Sequence, residues 1–235
     1  MQRPLIFRCL AEAAGTALLV GIGTGALVAG ADLGGVPQWV LAVAWFSAVA
    51  VPILAIAHYS GAHINPAVTL ALAGSGRFAR RDILPYMGSQ IFGAFAGSLA
   101  VLVSLGSRAH LGATLPRNDN LPLTFALEFV FTFALILSVL YLDRRARPGR
   151  TVELLLPPLV VGVSTFVIGP WTGSSLNPAR TLAPAVISGE YLGVWVYFLA
   201  AVLAALAGSS LLRTLGPRAR DKDMASSTRD GRIPP

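Results

Sequence analysis

The stretch GAHINPAVTLAL at residues 61–72 decides the fold, because GSSLNPARTLAP at residues 173–184 repeats its pattern in the other half of the chain. Both contain Gly, two further residues, an aliphatic residue and Asn-Pro-Ala, followed by Thr-Leu-Ala one position later. Asn favours the cap of a helix and Pro suits its first turn. One such motif would indicate an ordinary helix start, whereas two matched copies call for an explanation in the whole architecture.

The composition is that of a membrane protein. Of the 235 residues, 54% are hydrophobic and only 12% are charged, and the charges stand between long apolar tracts. A soluble domain carries about 25% charged residues. The lipid bilayer is therefore the expected surrounding of this chain.

The net charge of +7 raises the question of a nucleic-acid partner, and the positions of the basic residues argue against one. They flank the apolar tracts and fill the C-terminal segment, which is typical of signals for membrane topology. Cys9 is alone, and His58, His63 and His110 lack ligand spacing. We therefore expect no metal site and no cofactor.

Six stretches are long enough to cross a bilayer core of about 30 Å, which takes roughly 20 helical residues. They are Leu5–Ala29, Gln38–Ala57, Asp82–Leu105, Leu121–Leu142, Val152–Ile168 and Tyr191–Leu212. The apolar pieces Asn65–Ala73 and Asn177–Ile187 would reach only about half way across. We predict an all-α membrane protein with six transmembrane helices and two re-entrant half-helices.

The basic residues also predict the orientation. If the N-terminus is cytoplasmic, nine Arg residues and the six basic residues from Arg213 onwards lie inside, and only Arg108 and Arg117 lie outside. Arg180 falls within the bilayer. We therefore expect both termini to be cytoplasmic.

The two halves of the chain resemble each other. Glu12 and Glu128 each precede a Thr by four residues and lie 116 positions apart, while Asn65 and Asn177 lie 112 positions apart. Each half contains three spans with a half-helix between the second and the third. Because three is odd, the second half enters the bilayer inverted. An inverted repeat predicts a ligand path near the midplane, where the repeats meet.

The domain organisation follows from this division. We predict a membrane domain over residues 1–216, with repeats at about 5–105 and 121–212. The remaining segment, 217–235, is polar and contains Pro, Ser and Asp. We expect it to be a disordered cytoplasmic tail.

The inverted half-helices bring two helix N-termini together near the midplane. Non-helical backbone is tolerated at that depth only where it is buried in protein or lines a water-filled path. We expect the preceding loops to offer carbonyls, and the Asn side chains to offer amide donors, to a hydrated solute. The loop residues are Gly61, Ala62, His63, Ile64, Gly173, Ser175 and Leu176, and the motif residues are Asn65, Pro66, Ala67, Asn177, Pro178 and Ala179.

The sequence resembles the aquaporins, the major intrinsic protein family. The likeness rests on SGAHINPAVTLAL at 60–72 and TGSSLNPARTLAP at 172–184, and YMGSQIFGAFAG at 86–97 is similar to the third span of the family. It runs from Glu12 to about Leu212.

This resemblance implies the aquaporin fold and a passive channel for water and small uncharged solutes that excludes protons and ions. It also implies a homotetramer, and we expect a bacterial-type member in the plasma or inner membrane. One departure lies in the last span, where Ala200 and Ala201 stand in place of the usual Gly-Pro. These small residues still permit close helix packing.

Four positions match the outer constriction of the family, residue by residue: Trp45, Thr165, Ser174 and Arg180. Arg180 lies three residues after Asn177 and so shares its helix face. Charged residues inside a membrane usually mark a pathway, although a structural salt bridge is the alternative for a buried Arg. For Trp45 the alternative is an aromatic residue of the interfacial belt.

The solute is left open by these residues. Water-selective relatives carry Phe and His where this chain has Trp45 and Thr165, and glycerol-conducting relatives carry Trp at the first position. We expect a pore wider than a water-only one, with the water-only channel as the alternative.

The family resemblance suggests a structural role for Glu12 and Glu128, which would hold the backbones of the two loops. The alternative is that these acids form a proton relay in a secondary transporter with broken helices. Such a transporter would carry more ionisable residues inside the membrane. No nucleophile, base or metal cluster suggests an enzyme.

Overall fold

The computed structural model describes residues 3–31, 33–144 and 150–215. Within them lie eight α-helices: α1 (Leu5–Ala31), α2 (Gln38–Ser60), α3 (Pro66–Gly74), α4 (Ile83–Leu105), α5 (Leu121–Arg144), α6 (Arg150–Thr172), α7 (Pro178–Ser188) and α8 (Val194–Thr214). Short 3-10 turns lie at Arg80–Asp82, Arg108–Gly112 and Arg117–Asp119. The predicted tail, 217–235, lies outside the described residues, as does position 216.

Six helices are long and apolar enough to cross a membrane: α1, α2, α4, α5, α6 and α8. Their outward faces are apolar as well, with Val103 86% and Leu84 79% exposed. Hydrocarbon covers such side chains without the cost that water would impose. The prediction of six spans and two half-helices is confirmed.

The half-helices α3 and α7 begin directly after the two motif Asn residues. Asn65 and Asn177 have extended backbones with φ of −158° and −149°. Each side-chain Oδ1 accepts a hydrogen bond from the N–H two residues later, that of Ala67 at 2.8 Å and that of Ala179 at 3.0 Å. The Pro between the Asn and this Ala has no N–H, so it needs no acceptor in the first turn. Each helix therefore begins one residue later than predicted, with Asn as its cap.

The end of α6 differs from the prediction. We expected it to stop at Ile168, before a Gly-Pro pair, yet it continues through Pro170 to Thr172. Pro removes one backbone donor, but the last turn still closes, because the N–H of Gly173 donates to the carbonyl of Gly169 at 2.9 Å.

The last helix, α8, also differs at its start. It begins at Val194 rather than at Tyr191, because Gly193 adopts a left-handed φ of 69° and turns the chain there. Further along α8, Ala200 and Ala201 are buried. The departure from Gly-Pro at these positions thus leaves α8 closely packed.

The two halves repeat each other in space. Both ends of α6 lie 112 positions after those of α2, from 38 to 150 and from 60 to 172. Helix α1 packs against α2 and α4, as α5 packs against α6 and α8, and α2 meets α6 between the halves. The half-helices α3 and α7 also touch each other.

Two glycines set the distance between α1 and α4. A Cβ atom at Gly93 would lie 2.1 Å from the carbonyl oxygen of Ala13, and one at Gly97 would lie 2.5 Å from that of Ala17. Small residues permit this close approach of two helix backbones. Gly93 and Gly97 therefore face the core of their own subunit, whereas Gly88 on the same helix faces open space.

Candidate pore

The loops that precede α3 and α7 follow the same unusual backbone path. Ala62 and Ile64 have φ of 48° and 45°, and the corresponding Ser174 and Leu176 have φ of 48° and 53°. The left-handed region costs an L-residue roughly 1–2 kcal/mol. Such a path persists only where the surroundings hold it in place.

Glu12 holds the first loop. Its Oε1 accepts a hydrogen bond from the N–H of His63 at 2.9 Å, and its Oε2 accepts from the N–H of Ile64 at 2.6 Å. The side-chain amide of Gln90 donates to Oε2 as well, at 2.9 Å. The carboxylate is fully buried, and these donors replace the water that it has lost.

Glu128 holds the second loop in the same way. It accepts hydrogen bonds from the N–H of Ser175 at 2.9 Å, from the N–H of Leu176 at 3.0 Å and from the hydroxyl of Thr172 at 2.7 Å. The two acids differ only in the third donor, an amide in one half and a hydroxyl in the other.

The two motif Asn residues are joined across the centre. Asn65 Nδ2 donates to the carbonyl of Leu176 at 2.8 Å, and Asn177 Nδ2 donates to the carbonyl of Ile64 at 2.9 Å. Each side chain therefore caps its own half-helix and also binds the carbonyl that directly precedes the other Asn. A primary amide has two N–H groups, so each Asn retains one for another acceptor.

Both loops and both Asn residues line one cavity of about 360 Å³. Polar lining comes from Gly61 through Asn65, from Ser175 through Asn177, and from Arg77 and Arg180. The rest of the wall is largely apolar, including Leu19, Trp45, Val49, Ile53, Val68, Leu72, Leu135, Val139 and Val161. The predicted site residues that do not line it are Glu12, Pro66, Ala67, Glu128, Thr165, Gly173, Ser174, Pro178 and Ala179.

Arg180 is almost fully buried, at 1% exposure. Its Nη1 donates to the carbonyl of Gly112 at 2.8 Å and its Nη2 to that of Gly173 at 3.5 Å. The guanidinium lies over the ring of Trp45, 4.4 Å from the centroid, a cation–π contact. Within the part of the chain that the structure describes, carbonyls and a ring hold Arg180, and no carboxylate forms an ion pair with it.

The other two predicted constriction residues are Ser174, which follows the Gly173 carbonyl that Arg180 binds, and Thr165 on α6. Ser174 shares a hydrogen bond of 2.7 Å with the hydroxyl of Ser164, the residue before Thr165 on α6. Both Ser174 and Thr165 are buried. Among the described residues, Thr165 Oγ1 and Arg180 Nε are buried and have no hydrogen-bond partner.

Two partners in the site were missed by the sequence analysis. Gln90 connects Glu12 with the hydroxyl of Thr69, at 3.0 Å, and Gly112 supplies the carbonyl that orients Arg180. A buried amide on an apolar helix face was a usable signal for Gln90. Nothing in the sequence marks a carbonyl acceptor at Gly112.

Comparison with known proteins agrees with this geometry. The family model described as Major intrinsic protein matches residues 2–212. The chain is 37% identical over 210 residues to Aquaporin NIP1-1 of Zea mays, covering 88% of this chain and 73% of that protein. It is 32% identical over 230 residues to Nodulin-26 of Glycine max, covering 96% and 83%. The expected bacterial type is not borne out, because these relatives are plant proteins.

A solved structure is similar as well. The X-ray structure of the aquaglyceroporin from Plasmodium falciparum superposes with a TM-score of 0.76 at 25% identity, covering 88% of this chain and 95% of that one. Two capped half-helices meeting at a common cavity, six apolar spans and a family match along residues 2–212 lead to one conclusion. The chain belongs to the major intrinsic protein family and is an integral membrane channel for water and small solutes.

Proposed function

We propose that this channel passes uncharged polar solutes of about the size of glycerol together with water. The observation that carries the proposal is the contact of Arg180 with Trp45, because both line the cavity and together offer a cation and a flat apolar ring. A small polyol can lay its carbons on the indole and bind the guanidinium with its hydroxyls. Water needs only the guanidinium.

The comparisons support this range of solutes. The similar structure from Plasmodium falciparum is described as an aquaglyceroporin. One observation favours the second candidate, a water-only channel: the guanidinium of Arg180 lies directly on the ring of Trp45. A solute must pass beside this contact or displace it, so the size limit depends on how firmly Arg180 is held.

We also propose that the pore excludes protons and cations. Two half-helix N-termini meet at the cavity and carry partial positive charge, and Arg180 adds a full charge. The free N–H groups of Asn65 and Asn177 would orient a water molecule at the centre as an acceptor. Both effects oppose the passage of a cation, as in the selectivity of channels built from half-helix dipoles and an Arg.

The topology, membrane and assembly form a further part of the proposal. Arg8, Arg80 and Arg81 lie at one end of the bundle, and Arg108 and Arg117 lie at the other. The excess of basic residues supports a cytoplasmic position for the first end and for both termini. We propose a homotetramer in the plasma or inner membrane, with one pore in each subunit.

Stopped-flow light scattering on proteoliposomes tests the proposal, with osmotic gradients of glycerol and urea beside an impermeant osmolyte for water. The double change Trp45→Phe and Thr165→His puts a bulkier imidazole in place of the small hydroxyl side chain at position 165 and should lower glycerol flux about tenfold or more, with a smaller effect on water. Trp39→Phe is the matched control, because Trp39 is 63% exposed on the same helix.

The alternatives give different results. A wild-type protein that excludes glycerol and urea while water flows fast is a water-only channel. Flux that saturates and follows an ion gradient indicates a secondary transporter.

A further inference from the structure

The turn at Arg108–Gly112 has a strained backbone. Ala109, His110 and Leu111 are three consecutive non-glycine residues in the left-handed region, with φ of 48°, 47° and 52°. Single residues adopt this region at a cost, and runs of them are rare. Contacts around the turn must therefore hold it.

The inner side of the turn is held by packing. Leu111 is 1% exposed and packs with Val28 and Val101. A Cβ atom at Gly112 would lie 2.9 Å from Thr24, so only glycine fits there without displacing a neighbour. Both residues lie against the end of α1, which fixes one side of the turn and leaves its outer side to other contacts.

A polar contact holds the outer side. His110 Nδ1 lies 2.6 Å from Glu190 Oε1, with the two side chains 59% and 33% exposed. The carbonyl of His110 also accepts from the N–H of Ala113 at 3.0 Å. His110 and Gly112 thus belong to one closed turn, and a displacement of His110 moves Gly112.

The turn connects the two ends of α7, the half-helix that carries Arg180. At one end, the carbonyl of Gly112 accepts from Arg180 Nη1 at 2.8 Å. At the other end, Glu190 follows the helix and is fixed to it, because its N–H donates to the carbonyl of Ala185 at 3.0 Å. The contact of His110 with Glu190 therefore fastens to α7 the same loop whose carbonyl orients Arg180.

We propose that His110 and Glu190 are positioning residues for the constriction: they hold the 108–112 turn so that Gly112 keeps Arg180 on the ring of Trp45, and they thereby set the size limit for solutes. The inference rests on the proposed function in taking the Trp45–Arg180 contact as the constriction. It assigns control of solute size to two partly exposed residues that touch neither the cavity nor the solute.

Two variants remove the contact from opposite sides. Glu190→Ala removes the acceptor, and His110→Asn removes the imidazole while keeping a residue type that tolerates a left-handed backbone. Each should raise the ratio of glycerol to water permeability about two- to fivefold, the scale of a single partly exposed side-chain contact. The double variant should show no further rise, because both changes break one contact.

Two further variants separate positioning from a general loss of structure. Glu190→Gln keeps an oxygen acceptor for His110 and should restore the wild-type ratio. Asp119→Ala removes an exposed carboxylate from the same connection between α4 and α5 and should change nothing. The thermal unfolding midpoint of all variants should stay near that of the wild type.

The proposal is overturned if Glu190→Ala and His110→Asn keep the wild-type ratio, if Glu190→Gln is shifted as far as Glu190→Ala, or if Asp119→Ala has an equal effect. A failure of the proposed solute range is recognised in the wild type itself, which would then exclude glycerol. If the wild type excludes glycerol, the positioning proposal requires glycerol flux to appear in Glu190→Ala, and its absence there overturns the proposal too.

Discussion

Removing the carboxylate of Glu128 should loosen the second loop of the pore and reduce water flux. In the structure this side chain is 1% exposed and accepts hydrogen bonds from the N–H groups of Ser175 and Leu176 and from the hydroxyl of Thr172. Glu128→Ala leaves both N–H groups buried without this acceptor. It also releases a loop that contains a left-handed non-glycine residue at Leu176.

The magnitude follows from these contacts. A buried donor without a partner costs about 1–3 kcal/mol, so two of them lower the free energy of unfolding by about 2–6 kcal/mol. Glu128→Gln keeps one oxygen acceptor and should cost about half as much. Because the carbonyl of Leu176 also binds Asn65, a displaced loop disturbs the pore. Water permeability per folded protein should therefore be lower in Glu128→Gln than in the wild type and lowest in Glu128→Ala. Thermal unfolding in detergent and stopped-flow water flux measure the two effects.

Thr132→Val is the matched control, because Thr132 lies one turn further along α5, is fully buried, and has a hydroxyl without a hydrogen-bond partner among the described residues. This change removes an unsatisfied polar group and should be neutral or stabilising. If Glu128→Ala has the unfolding midpoint and the water flux of the wild type, as Thr132→Val should, then Glu128 does not support the loop and the reasoning fails.

Three other predictions use the same preparation. Arg180→Val should allow a measurable proton or cation leak while water flux persists, and a variant as ion-tight as the wild type would show that Arg180 has another role. Mercurials should leave the unmodified channel open, because its single thiol, Cys9, does not line the cavity, whereas Ser174→Cys places a thiol beside the constriction and should confer block. Gly93→Ala should destabilise the protein by about 1–3 kcal/mol, since its methyl group would overlap the α1 backbone; Gly88→Ala should not, and equal unfolding midpoints for the two would contradict the packing argument.

Much of the fold was predictable because membrane spans depend on simple properties of the sequence. The length of an apolar run determines whether it crosses the bilayer, and the pairs Asn65-Pro66 and Asn177-Pro178 mark the half-helix starts through capping. The end of α6 was not predictable in this way. A Gly-Pro pair normally ends a helix, yet α6 continues through Pro170 to Thr172.

For the candidate site, the sequence suggested which residues to consider but not the contacts among them. Trp45 and Arg180 were expected in one constriction, but their direct stacking depends on the carbonyl of Gly112, which no side-chain pattern reveals. His110 and Glu190 are 80 positions apart in the sequence, between 110 and 190, and meet through the path of the 108–112 turn. Long-range contacts of this kind depend on backbone geometry rather than on residue type.

The exchange of hydrogen bonds between Asn65 and Asn177 has a consequence for regulation. Each amide binds the carbonyl that precedes the other Asn, so the two half-helices cannot separate or slide without breaking both bonds. A change of shape that keeps both bonds can therefore move the mouths of the pore but not its middle. Each half supplies the carbonyl to which the Asn of the other half donates. Neither repeat could therefore form this centre alone, and a change at either Asn alters both halves at once.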